Sequence, residues 1–319
     1  MDFQLTQGQE KAQEMVKDLL GDDEGGYGVL TGFAGSGKTF LLQVLAEEHG
    51  PPQVLAPTGK AALRVREATG LEASTIHRYL YRAVENPKTG ETTWAKKPHD
   101  QIAVPENRLL VVDEASMLGQ ELWLDLWGTA QALGLRVLLT GDTFQLPPVV
   151  KDRSSGTWRN FSVLTDLKPK HRADLTEVVR QALGSPIIRA SMLLRQGEGP
   201  AMDAVMSHLE AVPRKALIET FLGMPAGDRA LIVHRNQTRH ALNLEVRTAL
   251  GYTEQILREE EPLLVLENNY KLDRFNGEVS PTGVGRKSRV LPSPFVTASK
   301  TSPPSPALAW REWRGASAS

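Results

Sequence analysis

The chain has 319 residues, of which 40% are hydrophobic and 24% charged, a composition typical of a globular protein with room for two domains. It contains no cysteine, which excludes disulfides, thiolate metal sites and a cysteine nucleophile. The net charge of -1 means that any nucleic-acid site has to be a local groove. No apolar run approaches the ~18 residues of a membrane span, and the N-terminus does not resemble a signal peptide, so we expect a soluble, cytoplasmic protein.

Apolar strands alternate with amphipathic helical segments from the N-terminus to about Val150. This alternation is typical of an α/β fold in which helices wrap a parallel sheet. Polar segments follow each of the four predicted strands, which are Gly28–Thr31, Gln53–Ala56, Leu109–Val112 and Leu135–Thr140. Because open α/β sheets bind ligands at the carboxyl ends of their strands, these segments are the candidate site.

Later stretches depart from this alternation. Turn residues between β-prone flanks predict an inserted hairpin over about residues 82–104. Beyond Pro148, a helical region, a strand Arg229–Val233 and a helix Gln237–Leu250 predict a second α/β unit. Residues 253–280 then favour short strands with tight turns, a β-type insertion.

Residues 281–319 differ in composition from the rest of the chain. They hold six prolines, seven serines, six basic residues and one acidic residue, which gives this tail a charge of +5. No helix or strand period persists there, so we expect the tail to be mostly unpacked. It is either an ordinary flexible tail or the product of a shift of reading frame near Val279, which translation of the other frames would test.

Residues 32–39 read GlyPheAlaGlySerGlyLysThr and match the phosphate-binding loop GxxxxGK[ST]. The motif follows an apolar strand and opens a helix, so successive backbone N–H groups and the helix N-terminus can surround phosphates. Lys38 would reach the β and γ phosphates, and the Thr39 hydroxyl would bind Mg²⁺. The alternative is a glycine-rich turn without a ligand. The predicted nucleotide-binding residues of this loop are Gly32, Gly35, Ser36, Gly37, Lys38 and Thr39.

The strand Leu109–Val112 ends in Asp113 and Glu114. Burial of the apolar strand would hold its polar end against the phosphates. Asp113 would hold Mg²⁺, and Glu114 would orient and deprotonate an attacking water, which is an arrangement for hydrolysis. The alternative is a pair of surface carboxylates at the start of a helix. Together with the phosphate-binding loop, the pair predicts NTP hydrolysis.

Five motifs occur in order along the chain. They are GlyPheAlaGlySerGlyLysThr (32–39), AlaProThrGlyLysAlaAla (56–62), SerThrIleHisArg (74–78), AspGluAlaSer (113–116) and GlyAspThrPheGlnLeuProPro (141–148). With them the chain resembles superfamily 1 DNA helicases of the RecD-like and Dda-like branch. The resemblance covers about residues 3–280 and continues through LeuThrGluValValArg (175–180), ValHisArgAsn (233–236) and AsnGlyGlu (276–278). It implies an ATP-dependent helicase that moves 5′ to 3′ and acts in DNA replication, recombination or repair.

The resemblance assigns three further residues to the nucleotide. Gln9 looks like the glutamine that reads the adenine edge, although it could simply be a polar residue on an exposed helix. Gln145 looks like the γ-phosphate sensor that links ATP hydrolysis to the binding of DNA. Alternatively, its side chain could simply form hydrogen bonds with backbone groups of the loop. Arg180 resembles the arginine that stabilises charge on the transferring phosphate, and its alternative is a solvated helix arginine.

For DNA, the turn Pro57, Thr58, Gly59 and Lys60 could bind a strand phosphate through N–H groups and the Lys60 ammonium. Thr75 and His77 resemble the next strand-contacting motif, although a lone histidine is more often a packed or capping residue. Trp94 is a candidate for stacking at the fork, where this family inserts a pin, or else covers the domain surface. The implied partners are therefore single-stranded DNA and junctions with duplex DNA, with ATP and Mg²⁺ as cofactors, and protein partners stay open.

The resemblance also implies an architecture. A P-loop NTPase domain with a RecA-like parallel sheet would occupy residues 1–156, and a partial second RecA-like domain residues 157–252. Residues 253–280 would begin an SH3-like insertion, ahead of the tail. Other P-loop classes fit less well, because an AAA-type loader would carry an asparagine sensor where this chain has GlyAspThrPheGlnLeuProPro. A nucleotide kinase would need an acceptor-binding lid.

Two later motifs of the family do not occur in this sequence, a ThrIleHisLysSerGlnGly-like segment and a final ThrArgAla-type motif. The first couples DNA to ATP in the family, and the second contacts the γ-phosphate. We therefore expect a C-terminally truncated or frameshifted helicase. Two functions stay open from the sequence: a motor, or a remnant that binds nucleotide and DNA without unwinding.

Overall fold

The chain divides into two compact units, Met1–Val205 and Met206–Ser319, which are described separately. The computed structural model describes residues 5–22, 25–85, 92–151, 158–177, 186–196, 203, 212–225, 229–233, 235–252, 262–265, 279–281 and 295–296. Within these residues no helix combines the length and the apolar character that a membrane crossing requires.

Strands of the first unit are numbered in chain order. They are β1 (Tyr27–Gly32), β2 (Gln53–Ala56), β3 (Ala73–Thr75), β4 (Tyr81–Glu85), β5 (Thr92–Lys96), β6 (Leu109–Val112), β7 (Arg136–Gly141), β8 (Val149–Lys151), β9 (Trp158–Asn160) and β10 (His171–Leu175). Six of them form a parallel sheet in the order β10-β1-β7-β6-β2-β3. The predicted α/β fold with a parallel sheet is confirmed.

Helices cover both faces of this sheet. They are α1 (Gln7–Leu20), α2 (Lys38–His49), α3 (Gly59–Thr69), α4 (Ile76–Leu80) and α5 (Gln120–Leu133). A further helix of this unit, α6, spans Pro186–Gln196. Successive residues of β6 alternate between two cores, with Leu110 and Val112 on one face and Leu109 and Val111 on the other. All four are buried, which is why the strand is an uninterrupted apolar run.

The predicted inserted hairpin is present as the antiparallel pair β4 and β5, with Ala83 opposite Trp94. Asp125 of α5 accepts hydrogen bonds from the Tyr81 hydroxyl and the Lys96 ammonium. These two bonds anchor both strands of the hairpin to the domain. A second small hairpin is formed by β8 and β9.

The main sheet extends further along the chain than the sequence predicts. β10 pairs in parallel with β1, with Gly28 opposite His171, so residues beyond 156 belong to the first sheet. α1 supports this edge, because a side chain at Gly8 would lie 3.6 Å from Leu175 Cδ2. The boundary between the units therefore lies after β10, later than residues 156–157.

The second unit contains the helices Leu217–Gly223 and Asn236–Ala249, the latter close to the predicted Gln237–Leu250. The strands Pro262–Val265 and Val279–Pro281 pair antiparallel, which fits the β-type insertion expected over residues 253–280. Arg229 caps the first helix by donating to the carbonyls of Phe221 and Leu222.

The predicted strand Arg229–Val233 is wrong, because these residues have no regular secondary structure. Ile232 is 95% exposed, whereas the central strand of a parallel sheet would be covered on both faces. In the tail, Phe295–Val296 pairs with Leu264 and Val265 as a short strand. The rest of residues 282–319 lies outside the described residues.

Candidate functional site

Three neighbouring strands end in the segments that the sequence singled out. β1 pairs with β7, and β7 pairs with β6, all in parallel. Because parallel strands have their carboxyl ends at one edge, the segments 32–39, 113–114 and 142–145 meet there. The sequence identified each segment, and the strand order of the sheet brings them together.

The phosphate-binding loop has the backbone that phosphates require. Gly35 and Gly37 have φ angles of 83° and 84°, in the left-handed region that favours glycine. Gly37 is the N-cap of α2, so the helix N-terminus opens directly from the loop. A Cβ at Gly32 would collide with Ser36 Oγ and lie 3.0 Å from Leu175 Cβ. Glycine is therefore needed for the loop to fold back on itself.

The Lys38 side chain folds back onto the phosphate-binding loop. Its ammonium donates to the carbonyl oxygens of Gly32, at 2.6 Å, and of Phe33, at 3.0 Å. Burial lowers the pKa of Lys38, while the charges of Asp142, Asp113 and Glu114 act in the opposite direction. A desolvated ammonium surrounded by carbonyls and carboxylates is well placed to exchange these partners for phosphate oxygens.

Ser36 provides a test of whether the loop fits a phosphate group. Its side chain is buried, and within the described part of the chain its Oγ has no hydrogen-bond partner. A buried hydroxyl usually has a partner, because leaving it without one costs about 1–3 kcal/mol. An acceptor such as a phosphate oxygen would satisfy it. The loop residues therefore fit the nucleotide that the motif predicts.

Asp113 and Glu114 follow β6. Thr140 Oγ1, on the neighbouring strand β7, donates to Asp113 Oδ1 at 2.7 Å and orients this carboxylate. Glu114 has a φ of 53°, which is uncommon for a residue other than glycine and often occurs at functional sites. No cluster of three or more His, Asp or Glu side chains in the described residues could hold a metal alone. A Mg²⁺ ion would be held by Thr39, Asp113 and oxygen atoms of the nucleotide, which suits its preference for few protein ligands.

Gln145 is joined to the segment that follows β6. Ser116 Oγ donates a hydrogen bond of 2.6 Å to Gln145 Oε1. The backbone N–H of Gln145 also donates to the Asp142 carbonyl, at 3.2 Å. The predicted sensor therefore lies at the same edge as Asp113 and Glu114, held by a serine that sequence reasoning missed.

Asp142 and Arg195 were also missed by sequence reasoning. Arg195 of α6 forms a two-pronged ion pair with Asp142, whose side chain is 7% exposed. Burial opposes ionisation of Asp142, but the hydrogen bond from Arg195 prevails and lowers its pKa. The GlyAsp pair at the end of β7 marks Asp142 in the sequence, whereas no sequence pattern indicates its partner.

Gln9 occupies a buried position at the start of α1, with 3% of its surface exposed. Thr6 Oγ1 accepts from the Gln9 N–H at 3.3 Å, and Gln9 Oε1 accepts from the Thr6 N–H at 3.0 Å. This is a capping box, which stabilises the helix start. Gln9 therefore has a structural role that the sequence analysis did not foresee, beside its predicted role toward adenine.

The predicted DNA-binding turn after β2 starts helix α3. Thr58 is the N-cap, and its Oγ1 accepts from the Ala61 N–H at 3.2 Å. Gly59 is buried and Lys60 is exposed in the first turn of the helix. With Pro57 before them, these residues present a helix N-terminus and a cation together, a combination suited to a strand phosphate.

Thr75 lies at the end of β3, beside β2, with Ala56 opposite Thr75. Its Oγ1 accepts from the Arg78 N–H at 3.1 Å and caps α4. His77 follows on the exposed side of α4, and its ring lies 5.6 Å from the Tyr81 ring. Partial desolvation lowers the pKa of His77. The two segments predicted to bind DNA therefore occupy adjacent strand ends on the β2-β3 side of the sheet.

Trp94 lies on β5 of the hairpin and is 40% exposed. Trp94 stands opposite Ala83 of β4, and the hydrogen bonds that join the hairpin to α5 come from Tyr81 and Lys96. Arg180 lies outside the described residues, as do residues 276–278. These assignments remain predictions.

Comparison with known families shows a match to the AAA domain over residues 4–212. This stretch contains the whole parallel sheet, the hairpin and α6.

Curated relatives include the ATP-dependent RecD2 DNA helicase of Deinococcus radiodurans, which is 34% identical over 268 residues. The alignment covers 78% of this chain and 35% of the relative. The RecBCD enzyme subunit RecD of Mycolicibacterium smegmatis is 30% identical over 223 residues, covering 59% of this chain and 37% of the relative. The chain thus spans little more than a third of the length of either relative.

Among solved structures, the fold resembles the Pif1 helicase from Bacteroides in complex with ADP-AlF3 and single-stranded DNA. The TM-score is 0.58 at 20% identity, and the match covers 88% of this chain and 70% of that one. At this identity the likeness concerns the fold alone.

Proposed function

The chain belongs to the AAA-domain family, and on this premise we propose that it is an ATP-dependent DNA helicase of the RecD-like branch of superfamily 1. The observation that carries the proposal is the side-by-side arrangement of β1, β7 and β6. It brings Lys38 into the neighbourhood of Asp113 and Glu114, so that residues suited to binding phosphate, holding Mg²⁺ and orienting water lie together.

In the proposed reaction, water attacks the γ-phosphorus of ATP, the bond to ADP breaks, and inorganic phosphate leaves. Glu114 orients the water and accepts its proton. Lys38 and the loop N–H groups balance the charge on the phosphates. Thr39 and Asp113 would hold Mg²⁺, which when bound neutralises charge on the β and γ oxygens.

Gln145 is proposed to sense the γ-phosphate. Its hydrogen bond with Ser116 links it to the segment that carries the proposed base Glu114. A change at the phosphate would therefore reach both groups together. Arg180 is proposed, from the family resemblance, to stabilise charge on the phosphate during transfer.

The proposed DNA path runs over the ends of β2 and β3, through Pro57, Thr58, Gly59, Lys60, Thr75 and His77. Positioning by phosphate contacts is independent of base sequence, as translocation requires. Movement from 5′ to 3′ and stimulation of hydrolysis by single-stranded DNA are proposed from the resemblance. Trp94 is proposed to stack at the junction between single-stranded and duplex DNA.

The test is steady-state ATP hydrolysis by the purified 319-residue chain, with and without oligo-dT, beside Lys38→Ala. We expect hydrolysis that DNA stimulates and that Lys38→Ala abolishes. A fork with a 5′ single-stranded tail, compared with a 3′ tail, then tests unwinding and direction. Stimulated hydrolysis without unwinding on either fork would favour a chain that binds nucleotide and DNA but does not separate strands. A folded chain that neither binds nor hydrolyses ATP would contradict the proposal.

DNA binding is tested by its dependence on salt. Removal of one phosphate contact should lower the slope of log K against log salt by about 0.7 for a single strand. We therefore expect Lys60→Ala to weaken binding of oligo-dT and to reduce this slope. Binding that does not change with salt would exclude the proposed phosphate contacts.

A further inference from the structure

Arg195 lies where two parts of the nucleotide site meet. Its guanidinium donates to both carboxylate oxygens of Asp142, with Nη1 at 2.9 Å from Oδ1. The Arg195 side chain is 20% exposed, and that of Asp142 is 7% exposed. The geometry of a bidentate pair restricts both side chains, unlike a pair between point charges.

The same guanidinium contacts two aromatic rings. Its Cζ lies 4.7 Å from the centre of the Phe144 ring and 5.5 Å from that of Phe33. Both distances are within the range of a favourable cation–π interaction. Phe33 belongs to the phosphate-binding loop, and Phe144 belongs to the turn after β7. One side chain from α6 therefore contacts both segments.

Asp142 in turn shapes the turn that carries Gln145. Its Oδ1 accepts from the Phe144 N–H at 2.9 Å, and its carbonyl accepts from the Gln145 N–H at 3.2 Å. An interaction that fixes the Asp142 carboxylate therefore also fixes the backbone of the turn that carries Gln145.

The link to the phosphate-binding loop passes through Phe33. The Phe33 carbonyl accepts a hydrogen bond from the Lys38 ammonium at 3.0 Å. Lys38 is proposed to leave this carbonyl for phosphate oxygens when a nucleotide binds. Arg195 therefore contacts Phe33, a residue whose carbonyl would lose its hydrogen bond from Lys38 in the proposed nucleotide complex.

We propose that Arg195 is a positioning residue that couples the phosphate-binding loop to the Gln145 turn and so makes recognition of the γ-phosphate depend on α6. This inference rests on the proposed hydrolysis of ATP. Arg195 acts through Phe33, Asp142 and Phe144, and it is not itself assigned a contact with the nucleotide.

The test uses Arg195→Gln in the full chain. Because this change leaves the Asp142 carboxylate buried without its cation, it also lowers stability. The double variant Asp142→Asn with Arg195→Gln removes both charges and serves as the second, better-folded variant. Arg136→Gln is the matched control, since Arg136 starts the strand that Asp142 follows and donates to the Gly134 carbonyl at 3.1 Å.

The first measurement is hydrogen exchange by mass spectrometry on peptides covering residues 141–147, without nucleotide. We expect exchange about ten-fold faster or more in both Arg195 variants, and unchanged in Arg136→Gln. Exchange at the wild-type rate in the double variant would overturn the coupling. Because this hydrogen-exchange measurement needs no nucleotide, it tests whether Arg195 holds the turn even if the chain proves not to hydrolyse ATP.

The second measurement is calorimetric binding of MgADP and MgATPγS. We expect the wild type to bind MgATPγS more tightly than MgADP. The double variant should bind MgADP with an affinity within about two-fold of the wild type, but should lose most of the preference for MgATPγS. A double variant that keeps the preference for MgATPγS would overturn the inference. Equal losses of affinity for both nucleotides would also overturn it, because they indicate general damage to the phosphate-binding loop. A wild type that binds both nucleotides equally would also overturn it. A wild type that binds neither would instead contradict the proposed function.

Discussion

Ser116 Oγ donates a hydrogen bond of 2.6 Å to Gln145 Oε1, which joins the segment after β6 to the turn after β7. Ser116 is 1% exposed, so the bond starts from a fixed, buried donor. The bond holds an exposed glutamine side chain in one orientation at the candidate nucleotide site.

Replacing Ser116 tests this orientation. We expect Ser116→Ala to lower kcat for ATP hydrolysis about 3- to 10-fold, the equivalent of a net hydrogen bond of about 1 kcal/mol, with little change in KM. Stimulation by oligo-dT should fall with kcat. The matched control is Ser162→Ala, whose hydroxyl accepts from the Leu164 N–H at 3.3 Å. Equal kcat in Ser116→Ala and wild type would show that Gln145 does not depend on the bond.

Replacing Lys38 should affect the stability of the protein and its ATP hydrolysis differently. Burial lowers the pKa of Lys38, which means that its charged form is destabilised in the folded protein. We expect Lys38→Ala to leave Tm unchanged or slightly higher while ATP hydrolysis falls by about 100-fold or more, because no other side chain of the loop carries a charge. Differential scanning fluorimetry and phosphate release measure the two effects. Lys11→Ala, at an exposed site on α1, is the control, and a marked loss of Tm in Lys38→Ala alone would contradict the argument.

Gln9 combines a capping role with a proposed role toward adenine, and two substitutions separate them. Glutamate also serves at this position of a capping box, but it has no amide donor. We expect Gln9→Glu to retain most of the stability and to lose the preference for ATP over GTP, measured as kcat/KM. Gln9→Ala should lose both, with a stability cost of about 1 kcal/mol. A Gln9→Glu protein that still prefers ATP would assign Gln9 to capping alone.

Trp94 should matter for strand separation and not for hydrolysis. Stacking of a base on an aromatic ring contributes about 1–3 kcal/mol, so we expect Trp94→Ala to slow unwinding of a forked duplex by about five-fold or more. Hydrolysis stimulated by oligo-dT should stay near wild type. Val84→Ala, also exposed on the hairpin at 39%, is the matched control. Equal unwinding by both variants would indicate that the tryptophan only covers the domain surface.

Much of the first unit follows from local sequence. β6 was predicted at its observed bounds, Leu109–Val112, because a strand buried on both faces has to be an apolar run. The phosphate-binding loop was predictable because its glycines meet a backbone requirement that other residues cannot meet. The hairpin also follows from turn residues between β-prone flanks, which act over a few neighbouring residues.

Other features depend on contacts between distant residues. β10 joins the first sheet by pairing His171 with Gly28, and nothing local in either segment specifies this partner. Conversely, the apolar segment Arg229–Val233 has the composition of a strand but no regular structure, since a strand also requires a neighbour to pair with.

The sequence by itself identified the segments proposed to carry the chemistry: the loop 32–39, the Asp113–Glu114 pair and the turn with Gln145. Only the tertiary structure decided how these segments are held. Arg195 reaches Asp142 across 53 residues of sequence, and Ser116 reaches Gln145 across 29. Such partners depend on the order of strands in the sheet and on the path of α6, which are set by packing of the whole domain and leave no periodic pattern in the chain.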